Sequence, residues 1–270
     1  MLPNKIFNIQ HSILNIQVES QITSIFDDYI PMRLILKPLQ VIYGIYALIL
    51  FTVILIVLMP FFFIASFFGK VRGGNIMYKL CSYWSDIWLP LLGIRRKLID
   101  ESTGSKIRPC IFVANHISYL DIPMIVNVIR EPVRPLGKAE MSKVPLFGFL
   151  YRNAVIMVQR DKSQKRSRSV AMLKRVLQKN ISICIFPEGT FNMTSEPLKE
   201  FYDGAFRIAI ETQTPIQPII FPDTLDRLNP FSFFSLTPGL CRGVYLEEIT
   251  VEGMTSADLA SLKQLVFFSP

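Results

Sequence analysis

The chain has 270 residues, half of them hydrophobic, with a formal net charge of +8. Such a length holds one large domain plus an anchor, and so apolar a composition excludes an ordinary soluble enzyme and points to a membrane. The positive balance suits anionic lipid surfaces or acidic substrates; with no zinc-finger spacing and no RNA-binding aromatic signature, nucleic acid is set aside.

In chain order, residues 1–31 show no clean helical period and read as an N-terminal extension, with Met32 as a natural start for an anchored chain. Val41 to Phe68 carries no charge; Arg33 and Lys37 precede it, and Lys70 and Arg72 follow. As a straight helix this run would measure roughly 42 Å, longer than a bilayer core. Pro60 is expected to divide or kink it. It is too long for a cleavable signal peptide and too apolar on every face for an ordinary core helix. Asn75 to Leu92 mixes Tyr78, Tyr83, Trp84 and Trp88 with Lys79 and Asp86. These rings suit either a membrane-water interface or the face of an amphipathic helix packed on a domain. Residues 32–95 are therefore read as membrane-anchoring helices, crossing the bilayer or dipping into one leaflet.

From Pro109 the pattern becomes short apolar runs between amphipathic stretches. Strands are predicted at 110–114, 133–136, 154–159, 181–186, 216–221 and 244–249. Helices are predicted at 123–129, 146–151, 167–179 and 205–211, with a final one opened by the capping-box spacing Thr255-x-x-Asp258. This alternation makes residues 96–270 an α/β domain with a mixed, largely parallel sheet covered by helices. Sites in such sheets collect where strands end.

Two strings follow predicted strands: Asn115-His116-Ile117-Ser118-Tyr119-Leu120-Asp121 and Phe186-Pro187-Glu188-Gly189-Thr190. His116 has a carboxylate just downstream, the pairing that a general base needs near neutral pH. The plain alternative is a polar loop in which Asp121 caps a helix. On one helix the two side chains would point about 140° apart, so they meet only with His116 in a loop and Asp121 in a first helical turn. Pro123 suits such a turn. Asn115 and Ser118 flank the base as donors or as a helix cap. In the second string Gly189 permits a turn that leaves amides open to an anion, and Glu188 can accept bonds from hydroxyls. The plain alternative is a tight turn with an exposed Glu. Cys81, Cys110, Cys184 and Cys241 are widely spaced and read as reduced core thiols. With two histidines they form no ligand cluster, so no metal is expected. Gly-x-Ser-x-Gly, the Walker loop and the dinucleotide fingerprint are absent.

The two strings together resemble the PlsC-type 1-acylglycerol-3-phosphate acyltransferases, with their Asn-His-x4-Asp and Phe-Pro-Glu-Gly-Thr-Arg motifs. Ala154 to Arg160 is similar to the family's Gly-x-x-Phe-Ile-Asp-Arg, keeping the arginine. Lys138, in Gly137-Lys138-Ala139-Glu140, matches a second cation. Pro145-x-x-Gly148 and Pro215-Ile216-Gln217-Pro218-Ile219 match structural blocks. Two positions depart: Phe191 stands where the family has Arg or Ser, and Tyr202 where it has Lys. The resemblance implies a glycerolipid acyltransferase-like fold and an anchored, cytoplasm-facing catalytic domain at the inner membrane. It implies direct transfer of a fatty acyl group from acyl-CoA or acyl carrier protein to a lysolipid hydroxyl, without a resident cofactor or a Ser or Cys nucleophile. His116 and Asp121 would be the base pair, with Arg160, Lys138, Glu188, Gly189 and Thr190 binding substrate. The simplest acceptor is 1-acylglycerol 3-phosphate, giving phosphatidic acid; a lyso-amino-acid lipid is the alternative that Phe191 and Tyr202 suggest. A non-catalytic lipid-binding protein and a lipid hydrolase are the rivals from other classes. The basic stretch from Arg160 to Arg175 suits coenzyme A phosphates, an acidic carrier protein or plain solvent.

Overall fold

The computed structural model describes residues 30–102, 108–158, 163–194 and 196–268, with side chains from residue 37 and, inside the helix at 163–177, from residue 169. The reading of the N-terminal extension lies outside this range, apart from the backbone of its last residues. α1 (Ile30–Ser66) is followed by a π-helical turn (Gly69–Gly73) and α2 (Gly74–Leu91). α1 runs through Pro60 unbroken, so the expected division does not occur. The α/β domain then runs β1 (Ile94–Asp100), β2 (Ile111–Ala114), α3 (Asp121–Val128), β3 (Val133–Lys138), α4 (Phe147–Ala154), β4 (Ile156–Val158), α5 (Ser163–Leu177), β5 (Ser182–Ile185), α6 (Gly204–Thr212), β6 (Ile216–Ile220), α7 (Thr224–Arg227), β7 (Gly239–Tyr245) and α8 (Leu259–Phe267).

The strands form one sheet in the order β1-β7-β6-β2-β5-β3-β4. β6, β2, β5, β3 and β4 run parallel, β7 is antiparallel to β6, and β1 is parallel to β7. β2 and β5 are buried along their whole length, as expected of central parallel strands covered on both faces. Their alternating side chains build two cores. Phe112, Ala114 and Cys184 pack with α2 and α3, while Ile111, Val113, Ile183 and Ile185 pack with α5, α6 and α8. Three layers result.

Two sequence expectations need correction. β1 was not expected at all: Ile94-Arg95-Arg96-Lys97 buries only Ile94 and forms an edge strand whose charges face water. The last strand lies earlier than 244–249. It runs from Gly239 to Tyr245, paired with β1 throughout, and only an isolated bridge from Ile249 to Ile216 continues beyond it.

The α1–α2 hairpin packs onto the domain. Trp88 is buried, its ring stacks on Trp84 at 5.1 Å, and its Nε1 donates to the Ala47 carbonyl at 3.1 Å. Phe51 meets both indoles edge-on. These tryptophans thus join α1 to α2. Much of the rest of α1 stays bare: Ile42, Leu48 and Val57 are each more than 60 % exposed. The stretch Lys37–Ser66 is long and apolar enough to cross a membrane. Replacing Trp88 by Ala should remove about 3–5 kcal/mol of stability, measured as a lowered denaturation midpoint of the detergent-solubilised protein.

Candidate active site

The register of the parallel strands decides which residues meet. Val113 of β2 pairs with Ile185 of β5, and Ala114 with Ile219 of β6. These three strands therefore end at one edge of the sheet, and the segments after them share it. The segment after β2 carries His116, that after β5 carries Glu188, and that after β6 leads to Thr224. β3, beside β5, brings Lys138 to the same edge.

His116 lies in the loop and Asp121 is the first residue of α3. His116 Nδ1 is 2.9 Å from Asp121 Oδ2, and the same oxygen accepts the Ile117 and Ser118 amides at 2.9 Å each. Asp121 Oδ1 accepts the Thr224 hydroxyl at 2.6 Å. The Asp121 side chain is fully buried, and His116 retains 16 % exposure. An ionised carboxylate only accepts, so such a contact would place the ring proton on Nδ1 and a lone pair on Nε2. No partner for Nε2 occurs among the described residues.

The loop is fastened at both ends. Asn115 exchanges two hydrogen bonds with the Phe221 backbone, at 2.8 and 3.2 Å. Ser118 Oγ donates to the Leu228 carbonyl at 2.5 Å and accepts the Leu120 amide at 3.1 Å. Both side chains hold backbone; neither caps α3 through its N-cap, Leu120.

Glu188 is buried completely. Its Oε1 accepts the His116 amide at 2.8 Å and its Oε2 the Lys199 amide at 3.0 Å. Burial raises its pKa, and these two backbone bonds oppose that rise. The place expected for it, facing glycerol hydroxyls, is not where it sits. Gly189 adopts φ = +72°, open to glycine at no steric cost. Its amide donates to the Phe186 carbonyl at 3.0 Å, closing the turn rather than staying open to an anion.

Aromatic rings enclose the imidazole. Phe186 stacks on it at 3.9 Å, and Phe191 packs against it at 4.2 Å. Asn192, just after Phe191, donates its amide to the His116 carbonyl at 2.7 Å. Beyond Phe191 opens a cleft of about 340 Å³ lined by Lys138, Thr190, Phe191, Met193, Thr194 and Lys199. Lys199 Nζ donates to Thr190 Oγ1 at 3.1 Å. Arg160, the other cation singled out in the sequence, lies outside the described residues. Among the described residues no group of His, Cys, Asp and Glu is placed to hold a metal. Burial pushes the Cys110 and Cys241 thiols up to about 12, away from nucleophilic use at neutral pH.

Sequence reasoning did not single out Thr224, Lys199, or the packing roles of Phe186 and Phe191. Thr224 carries no local signal; only the β2–β6 pairing places it. Lys199 lies three residues before Tyr202, where the resemblance had lost a cation.

Residues 96–222 match the sequence profile of the family described as Acyltransferase. The matched stretch is 127 of the chain's 270 residues. The matched stretch contains His116, Asp121, Lys138 and the Glu188 turn, and stops just short of Thr224. A human protein named 1-acyl-sn-glycerol-3-phosphate acyltransferase beta is 31 % identical over 172 residues, 63 % of this chain and 61 % of its own length. A Saccharomyces cerevisiae 1-acyl-sn-glycerol-3-phosphate acyltransferase is 27 % identical over 207 residues, 75 % of this chain and 67 % of its own. This chain thus spans about three fifths of the length of the human relative, and 58 % of the Salmonella typhimurium protein of the same activity name. The fold matches the crystal structure of the 1-acyl-sn-glycerophosphate acyltransferase PlsC from Thermotoga maritima. There the TM-score is 0.67 at 21 % identity, over 87 % of this chain and 93 % of that one.

Glu188→Gln sets an amide donor against a backbone donor and should lower stability by about 1–3 kcal/mol. A thermal melt showing that loss fits a brace between two segments. A raised acceptor KM with an unchanged melt would fit a substrate contact instead.

Proposed function

We propose that this protein is a membrane-associated O-acyltransferase that moves a fatty acyl group from a thioester donor to the hydroxyl of a lysolipid, with 1-acyl-sn-glycerol 3-phosphate as acceptor and phosphatidic acid as product. The observation that carries the reading is the imidazole oriented by buried Asp121, with its second nitrogen unengaged, one ring away from a cleft holding Lys138 and Lys199. The names of the relatives support the same chemistry.

In this reading the acceptor hydroxyl donates to His116 Nε2. As its oxygen attacks the thioester carbonyl, the proton passes to Nε2, and Asp121 stabilises the imidazolium that forms. The tetrahedral adduct expels the thiolate, which takes that proton and leaves as free thiol. The ester bond has then replaced the thioester bond, and no covalent enzyme intermediate arises. Ser118, the hydroxyl closest in sequence to His116, is buried and already donates to the Leu228 carbonyl, so a hydrolase built on a serine nucleophile finds no support here. Acyl-CoA and acyl carrier protein both remain donors in this reading. The side chains of the basic segment at 162–168 lie outside the described residues, and Lys174 pairs with Glu211.

Phe191 and Tyr202 favour a second reading, acylation of a lyso-amino-acid lipid without phosphate. Lys199 favours the first, because it returns a cation to the cleft beside Thr190. A carboxylate acceptor would also meet these lysines, so an acceptor panel must include both lipids. Lysophosphatidic acid is expected to be acylated; label appearing only in the amino-acid lipid would overturn the choice of acceptor. His116→Ala should cut turnover by about 10² to 10⁴-fold, and full activity in that variant would refute the assignment of the base. Lys199→Ala should raise KM for the phosphate-bearing acceptor by roughly tenfold, from one lost charge-assisted contact, while leaving thioester hydrolysis in the absence of acceptor unchanged.

A further inference from the structure

Between α7 and β7 the chain carries no charge from Leu228 to Cys241. Within this stretch three phenylalanines are exposed: Phe231 to 74 %, Phe233 to 65 % and Phe234 to 47 %. A cluster of bare rings on a folded surface marks an interaction site. The loop is built to hold them there. Asn229 Oδ1 accepts the Phe231 amide at 2.9 Å, Ser232 Oγ accepts the Phe234 amide at 3.2 Å, and Ser235 Oγ accepts the Asn229 amide at 2.8 Å. Arg227 and Thr237 close its base, the Thr237 amide donating to the Arg227 carbonyl at 2.8 Å.

The loop rests on α1. A methyl group added at Gly44 would meet Phe234 Cδ1 at 3.0 Å and the Phe233 carbonyl oxygen at 3.4 Å. Next to that contact α1 presents Ile42, Ile45 and Leu48, between 46 % and 66 % exposed. α1 also touches the domain near its other end, where Phe63 packs at 6.3 Å from Phe149 of α4. The bare face of α1 and the loop therefore form one apolar surface on one flank of the molecule.

We propose that the loop at 229–236 is a second membrane-contacting element, whose phenylalanines enter the interfacial hydrocarbon of the same bilayer that receives α1. The occupant is lipid rather than a protein partner because the patch is continuous with a helix of bilayer-like hydropathy, and because the loop itself carries no charge. From the loop, Phe233 stacks on Tyr119 at 4.7 Å, Tyr119 meets Phe191 at 4.7 Å, and Phe191 packs on His116. Three rings thus connect the bilayer surface to the imidazole. Resting on the reading of His116 as base, this places the reaction within reach of a lysolipid that keeps its tail in the membrane.

The membrane contact is tested without reference to activity. Full-length Phe231→Trp protein is reconstituted in phosphatidylcholine–phosphatidylglycerol vesicles, and its emission is compared with that of the parent, so that Trp84 and Trp88 cancel. The added tryptophan is expected to emit at shorter wavelength than in water, to be quenched by lipids brominated near the glycerol end of the acyl chain, and to resist aqueous acrylamide. Water-like emission that acrylamide quenches and brominated lipid does not would overturn the proposal. So would shielding that appears only as the protein-to-lipid ratio rises, which marks a second copy as occupant. Phe231→Asp supplies the functional arm: transfer to a vesicle-held lysolipid should fall, while transfer to a short-chain water-soluble lysolipid stays at the parental rate. Equal loss on both acceptors would also count against the proposal. If neither acceptor is acylated by the parent protein, the enzymatic reading fails while the fluorescence result still stands.

Discussion

The buried carboxylate of Asp121 organises this molecule. One of its oxygens collects the His116 ring nitrogen and two consecutive loop amides; the other takes the Thr224 hydroxyl. A carboxylate with no exposed surface is costly to bury unless its lone pairs are filled, and here donors from two segments, the loop after β2 and the start of α7, fill them. That same set of contacts holds the imidazole ring against the carboxylate. In the proposed reading, satisfying the buried carboxylate and poising the base are a single geometric event.

The sheet supplies the donors. Parallel pairing puts the ends of β2, β5 and β6 at one edge, where the adjoining loops brace one another across strands. Glu188, in the turn after β5, acts as Asp121 does at the start of α3: buried, its oxygens taken by the amides of His116 and Lys199. It ties the histidine loop to the segment that places a lysine in the cleft. Asn115 ties the same loop to the end of β6. The imidazole proposed as base therefore sits on a loop whose backbone is held from both neighbouring strands, which is how a loop achieves the precision expected of a rigid element.

What could be read in the sequence depended on range. The central strands declared themselves because burial on both faces leaves unbroken apolar runs such as Ile111-Phe112-Val113-Ala114. The two motif strings declared themselves by residue type, and Gly189 by the positive φ it supplies. β1 did not, since an edge strand with solvated arginines lacks any apolar period. Thr224 did not, because its link to Asp121 crosses 103 positions and depends on strand order. Glu188 declared itself as an acceptor by residue type, with substrate hydroxyls as its expected donors, and only the packed structure shows the two backbone amides that it holds. Trp84 and Trp88 left interface and helix packing open by type, and the fold packs them against α1. Phe191 was read as a missing cation; in the fold it is a wall of the imidazole pocket, and Lys199 brings charge from elsewhere.

The central claim is that Asp121 holds His116 as the Nδ1–H tautomer, leaving Nε2 as the proton acceptor. Nitrogen-15 NMR of protein labelled at histidine tests it directly, since His11 is the only other histidine and a His11→Gln variant removes its signals. The account predicts a neutral ring protonated at Nδ1, converted to a mixture of tautomers when Asp121 is replaced by Asn. A ring protonated at Nε2 in the parent protein, or a tautomer indifferent to residue 121, would contradict it.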